Sequence, residues 1–242
     1  MELWQYFLLA ALGLVAGILN VLAGGGSLIT LPVMVLMGLD GPVANGTNRV
    51  AIFAQNIVAV TGFRSKGFSE PRLSLTLALA TLPGAIAGAC LGTLVRGVVF
   101  NRVLACVMIG VMIAMALKWR PSTETRHPFW AHLCMVGVGF YGGFIQAGVG
   151  FLVIATLHGV MGLDLVRVNM HKVFVIGCFT LAALIVFAIN GKVLWLTGGI
   201  LAVGNSIGGW IGSQLSIHKG EKFIRGVLYI ALAAMAVKLF IG

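Results

Sequence analysis

Ten apolar runs, separated by short polar breaks, organise this chain. They cover roughly residues 3–23, 27–38, 45–63, 73–95 and 98–118, then 129–147, 150–162, 168–189, 193–216 and 223–241. Eight have about the 20 residues that a helix needs to cross a hydrocarbon core of roughly 30 Å. The other two, Ser27–Gly38 and Gly150–Gly162, reach only roughly 18–20 Å at the helical rise. They read as half-helices. Each follows a glycine cluster, Gly24-Gly25-Gly26 or Gly148-Val149-Gly150, that unwinds the chain. The runs do not alternate apolar and polar residues, which argues against a β-barrel. The pattern predicts an all-α polytopic membrane protein.

The pattern also occurs twice. Gly38-Leu39-Asp40 precedes Asn45-Gly46-Thr47-Asn48-Arg49, and Gly162-Leu163-Asp164 precedes Asn169-Met170-His171-Lys172. The offset is constant (162 − 38 = 124; 169 − 45 = 124). Gly17 and Asn20 match Gly143 and Gln146, and Gly84, Gly88 and Gly92 match Gly204, Gly208 and Gly212. This predicts a single membrane domain, 1–242, of two homologous repeats at about 3–118 and 129–241, with a short linker at about 119–128. Each repeat has about four long transmembrane helices plus one short half-helix. Many transporters are duplicated in this way, with the site where the copies face each other.

Composition agrees with a membrane class. The chain is 60% hydrophobic and only 9% charged, against about 25% charged in a soluble domain. Met1-Glu2-Leu3 lacks a basic n-region, so the first run is expected to persist as a helix. Cys90, Cys106, Cys134 and Cys178 lie inside apolar runs without metal-ligand spacing and read as small buried hydrophobes. No metal or cofactor is expected.

The net charge of +10 reads as membrane topology rather than nucleic-acid binding. If every run crosses the membrane, each copy crosses five times and the second is inverted. Arg64, Lys66, Arg72, Lys118, Arg120, Arg126, Arg167, Lys219, Lys222 and Arg225 then share one side, the expected cytoplasmic one. Arg96, Arg102, Lys192 and Lys238 take the other. If the short runs return to the side they left, the copies are parallel. The inverted arrangement is preferred because it gives the clearer charge bias.

Candidate chemistry follows the repeats. Gly24, Gly25, Gly26 and Ser27 leave backbone N–H groups uncovered at a helix start, a ready anion site. Gly148 and Gly150 are the second-copy counterparts. Asn45, Asn48, Arg49 and Asn56 share one helix face, and Asn169, Lys172 and Thr180 repeat the stripe. Such groups do not face lipid cheaply. Asn20 and Gln146 precede the glycine clusters and can donate to an oxyanion or cap unwound backbone. His171 sits beside Lys172 and belongs to a residue type that titrates near neutral pH. The glycine series at Gly84, Gly88 and Gly92 reads as helix packing. Asp40 and Asp164 read as interfacial caps, with pairing to Arg49 or Arg167 as the alternative.

None of the six acidic residues lies mid-run, although cation and proton pumps usually place a carboxylate there. No metalloprotease, Walker or serine-hydrolase motif occurs, so the chain is not expected to be an enzyme.

The stretches LAGGGSLITLPVMVLMGL and NGTNRVAIFAQNIVAV, with GLDLVRVNMHKVFVIGCFTLAALIVFAINGKV in the second copy, resemble the sulfite exporter TauE/SafE family. The resemblance spans essentially the whole chain, with Val149 interrupting the second glycine cluster. It implies a seven- or eight-helix permease from a duplicated unit, moving sulfite, sulfonates, thiosulfate or other small organic anions. Both lines of reasoning lead to a secondary anion transporter working by alternating access, in a bacterial inner membrane. Its expected partners are a small anionic substrate and membrane lipid; nucleic acid is not expected and a homodimer stays open. The alternatives are a permease for another small organic anion or a neutral or cationic solute, and a non-transporting membrane scaffold.

Overall fold

The structure is a computed structural model that describes residues 3–95, 97–116 and 128–217. The last apolar run, the linker, Arg96 and the basic residues between 118 and 126 and beyond 217 lie outside the described residues. All regular structure among the described residues is helical. The helices are α1 (Leu3–Ala23), α2 (Ser27–Leu36), α3 (Gly41–Arg64), α4 (Pro71–Leu94), α5 (Gly97–Ala116), α6 (Pro128–Phe144), α7 (Val149–Ile154) and α8 (Leu165–Ile189). α7 continues in π-helical geometry over Ala155–Val160, and α9 covers 195–217. Trp4–Ala23, Pro71–Leu94 and Leu165–Ile189 are long and apolar enough to cross a membrane.

The repeated Gly-Leu-Asp is a helix stop followed by a helix start. Gly38 (φ +92°) and Gly162 (φ +66°) turn the chain in the left-handed region, which glycine adopts without steric cost. Asp164 caps α8 by accepting from the backbone N–H of Val166 and Arg167 at 3.0 Å. Asp40 occupies the same place before α3, without a side-chain cap bond.

The short helices fold back along the helices that precede them. Gly26 packs against Ala16 and Asn20, so α2 returns beside α1. Val149 packs against Gly142, so α7 returns beside α6. Counting each short run as a crossing is therefore incorrect. Hydropathy measures the length of a run, and the reversals depend on Gly24 (φ +82°), Gln146 (φ +59°) and Gly148 (φ +70°). The prediction that returning short runs make the copies parallel also fails at the level of helix directions. Each hairpin begins and ends at one end of the bundle, so α3, α4 and α5 carry the chain across.

The directions follow from contacts. Gly46 packs against Phe187 and Gly177 against Asn56, which makes α3 and α8 antiparallel. α4 lies parallel to α6, and α9 parallel to α1. A methyl group on Gly84, Gly88 or Gly92 would lie 2.0–2.4 Å from the carbonyl oxygens of Val136, Phe140 and Phe144. On Gly204 or Gly208 it would lie 2.0–2.1 Å from those of Ala10 and Leu14. The partners are themselves 126 apart (136 − 10 = 126; 140 − 14 = 126). With apolar solvent outside, this close backbone approach supplies the dispersion and Cα–H···O contact that holds the pairs together.

Arg64, Lys66, Arg72 and Arg167 lie at one end of the bundle, and Arg102 and Lys192 at the other. The first group surrounds the α3–α4 turn and the start of α8, which Arg167 ties to Glu70. Phe100 on α5 and the Lys192 carbonyl both pack at the start of α3. Cys90, Cys106 and Cys134 are exposed and Cys178 is half-buried, contrary to the expected burial. In a bilayer the outward face is also apolar, so their hydrophobic setting does not separate inside from outside.

The glycine contacts predict a split among alanine variants. Gly88→Ala and Gly208→Ala each force a collision with backbone and should cost about 1–3 kcal/mol. Gly137 has nothing within 4 Å of an added methyl. Gly137→Ala should stay within about 1 kcal/mol of the parent, on the stabilising side. Unfolding of the purified protein in detergent measures all three.

Candidate functional site

The two reversals meet in the interior. A methyl added to Gly24 would lie 2.4 Å from the Cα of Gly150, and one on Gly150 would lie 2.2 Å from the Cα of Gly24. Gly24 and Gly150 thus touch backbone to backbone, with no room for side chains. Gly25 lies under the ring of Phe151, and buried Ser27 opens α2. Gly148 is the left-handed residue preceding α7.

Breaking α1 and α6 inside the bundle strands their last carbonyls. The side chains predicted to face inward satisfy them. Arg49 donates through Nη1 to the Gly142 carbonyl at 3.1 Å and through Nη2 to that of Gly143 at 2.5 Å. Asn45 donates to the Phe144 carbonyl at 2.7 Å and accepts from Arg49 at 3.4 Å. These three carbonyls are the last in α6. The second copy does the same for α1. Lys172 donates to the Val21 carbonyl and to Asn169 Oδ1, both at 2.7 Å. Asn169 donates to Ser216 Oγ at 2.9 Å and to the Leu22 carbonyl at 3.4 Å. Both cations are completely buried. The Arg49 guanidinium also lies 4.7 Å from the centre of the Phe187 ring. Neither cation snorkels to an interface, and Asp40 does not pair with Arg49.

The remaining candidates separate. Asn20 donates to Gln55 Oε1 at 3.0 Å, and Gln146 donates to Thr180 Oγ1 at 2.6 Å. Asn48 accepts from Thr30 at 2.8 Å. Asn56 turns back to its own helix, donating to the Ile52 carbonyl at 2.8 Å. His171 faces α4, where its Nδ1 lies 2.8 Å from Ser74 Oγ, and so joins a different cluster from Lys172. Gln55, Thr30, Ser74 and Ser216 are buried members of these networks that the sequence reading passed over. Their available signal was polarity inside an apolar run; Gln55 lies beside Asn56 on the same helix.

Two N–H groups at this centre, Asn48 Nδ2 and Arg49 Nε, are buried and have no acceptor among the described residues. Every oxygen that Arg49 and Lys172 touch is a neutral carbonyl or amide. A helix C-terminus carries only about half a negative charge, so both caps leave positive potential around the glycine crossing.

Comparison with known proteins adds an independent line. The family model described as Sulfite exporter TauE/SafE matches residues 9–239. The chain is 29% identical over 230 residues to "Probable membrane transporter protein ORF9" of Sinorhizobium sp, covering 93% of this chain and 88% of that protein. It is 29% identical over 232 residues to "Probable membrane transporter protein YfcA" of Escherichia coli (strain K12), covering 93% and 86%. A "Probable membrane transporter protein" of Haemophilus influenzae is 24% identical over 238 residues, covering 96% and 93%. No solved structure matches the chain.

The caps predict the order of a substitution series. Arg49→Gln strands the last turn of α6 and should cost about 1.5–3 kcal/mol for each charge-assisted bond lost. Arg49→Lys should recover only part of this, because an ammonium does not reproduce the fork onto two carbonyls. Lys172→Gln should destabilise in the same way through α1. Denaturant unfolding in detergent checks the order; parent-like stability in Arg49→Gln would remove the capping role.

Proposed function

The chain belongs to the sulfite exporter TauE/SafE family, and from that premise we propose that this membrane transporter is a secondary transporter of small anions. A sulfur oxyanion is the preferred class, sulfite or an organosulfonate. The observation that carries the reading is the positive centre around the glycine crossing. Arg49 and Lys172 are buried on neutral oxygens, and on the Arg49 side the Asn48 amide and Arg49 Nε have no acceptor among the described residues. An anion leaving water must recover its hydration through charge and hydrogen bonds. The Asn48 amide, the Arg49 Nε and the backbone N–H of Ser27, ahead of the Leu28, Ile29 and Thr30 groups that donate to the Gly25 and Gly26 carbonyls, are suited to supply them. Asn20 and Gln146 brace the unwound segments on either side. Arg49 and Lys172 act mainly as positioning residues in this state, and their charge sets the sign of the ligand.

The proposed architecture is a pair of inverted repeats, about 3–118 and 129–241, in one membrane domain. It is supported by the opposed directions of α3 and α8, and by glycine contacts that recur between matched positions. Alternating access then means parting the Gly24–Gly150 contact toward one end of the bundle at a time. The end carrying Arg64, Lys66 and Arg72 is assigned to the cytoplasm and the membrane to the bacterial inner membrane, following the positive-inside rule.

Two experiments test this. Proteoliposomes holding the purified protein should exchange radiolabelled sulfite or sulfonate across the membrane. Gly24→Ala and Gly150→Ala should each lower that exchange at least about tenfold, since either methyl collides with the opposite backbone. Absence of anion exchange by the folded parent protein would sink the reading. Cysteines at Ser65 and Gly191, in a cysteine-free background, should label from opposite sides of the membrane. Labelling from one side would reject the inverted arrangement.

A further inference from the structure

At the end of the bundle that carries Arg64 and Lys66, a second polar cluster joins the two halves of the chain. Arg167, in the first turn of α8, forks onto Glu70, which precedes α4. Its Nε donates to Oε1 at 2.6 Å and its Nη2 to Oε2 at 2.7 Å. The pair is about one-third exposed, at 37% and 36%. His171 lies below it, one helical turn along α8 and fully buried. Its Nδ1 is 2.8 Å from Ser74 Oγ, and its Nε2 faces Glu70 Oε2 at 3.6 Å without a hydrogen-bond partner. A cleft beside the cluster is lined by Phe63, Glu70, Ser74, Met170 and Phe174.

We propose that this cluster is a proton-operated latch between the two halves, with His171 as the proton acceptor. The inference rests on the reading of two halves that move against each other, and deepens it by naming how one end is held shut. In the neutral ring the Nε2–H tautomer can accept from Ser74 Oγ–H at Nδ1 and turn its N–H toward Glu70, but it brings no charge to the carboxylate. A proton taken from water at this end makes both nitrogens donors. Nδ1 then serves Ser74 Oγ and Nε2 serves Glu70 Oε2. Glu70 is then held by two cations of α8 instead of one, and α8 is drawn onto the start of α4. Release of the proton takes the second positive charge away from Glu70 and leaves it to a neutral imidazole and the exposed Arg167 fork, which water and salt weaken.

The surrounding charges fit this assignment. Asp164 caps the same helix end and adds negative potential near Arg167 and His171. Arg64 reaches the cleft from α3. Lys172 points away to the Val21 carbonyl. His132 of α6 is bound to Thr76 and the Pro128 carbonyl, and His158 to the Leu163 carbonyl. The hydrogen bond from Arg167, chiefly, holds the Glu70 carboxyl below its ordinary value of 4.5. The carboxylate contribution is therefore present above that range and lost as pH falls through Glu70's lowered value. The latch is tightest between that acid limit and the loss of the histidine proton.

The test reads the latch without substrate, so its failure is distinct from failure of the anion assignment. The full chain, freed of native cysteines, carries Met170→Cys in the cleft or Ser65→Cys as an exposed reference. Thiol labelling in proteoliposomes is measured at about pH 5.5 and about pH 8. The Met170→Cys rate, divided by the Ser65→Cys rate to cancel thiolate chemistry, should be at least about fivefold lower at the acidic pH. His171→Gln should remove that difference, and Glu70→Gln should give the faster ratio at both pH values. Circular dichroism and gel filtration confirm that each variant is folded; His171→Asn replaces His171→Gln if the latter is not. A pH-independent ratio in the parent protein would overturn the latch. So would a pH difference that survives in a folded His171 variant.

Discussion

A helix that ends inside a bilayer leaves carbonyl groups that lipid cannot satisfy. Both α1 and α6 end inside the bundle, where the same constraint holds, and the interior polar groups are arranged around it. The end of α6 is satisfied by Arg49 and Asn45, and the end of α1 by Lys172 and Asn169. In each case the donors come from the other half of the chain. Each break is capped from the opposite half of the chain, and Gly24 and Gly150 touch between the two caps.

The asparagines explain why an amide precedes each cation by one turn. Asn45 uses both ends of its side chain, donating to the stranded carbonyl and accepting from Arg49. Asn169 does the same with the Leu22 carbonyl and Lys172. An apolar residue there would leave the cation short of an acceptor in a medium where each missing bond is expensive. The cation remains more strongly charged than the helix end it covers, so the cap that stabilises the fold also leaves excess positive charge at the centre.

Hydropathy located the described helices well because each run is bounded by glycine, proline or a charge. The same signal was silent on direction. The reversals at Gly24 and Gly148 are properties of backbone dihedral angles, and run length does not report them. The inward face of α3 was legible from the spacing of Asn45, Asn48 and Arg49. What they face was not, because the carbonyls lie 93 to 99 positions away in sequence. Glu70 and Arg167 are likewise 97 positions apart, and nothing in either local sequence couples them. His171 was singled out beside Lys172, although successive residues on a helix point about 100° apart and these two serve different clusters.

The glycine seams also constrain how the protein is made. α1 packs its backbone on α9, whose glycines follow about 190 residues later (204 − 13 = 191). At roughly 5–20 residues per second, a ribosome needs about ten to forty seconds to span that interval. During that time the first helix sits in the bilayer with a bare glycine face and an uncapped end. Lys172 leaves the ribosome before α9 does, so the donor that caps α1 is available ahead of the seam. The first helix to emerge thus waits about 190 residues for its glycine partner, whereas α4 waits only about 50 for α6 (136 − 84 = 52).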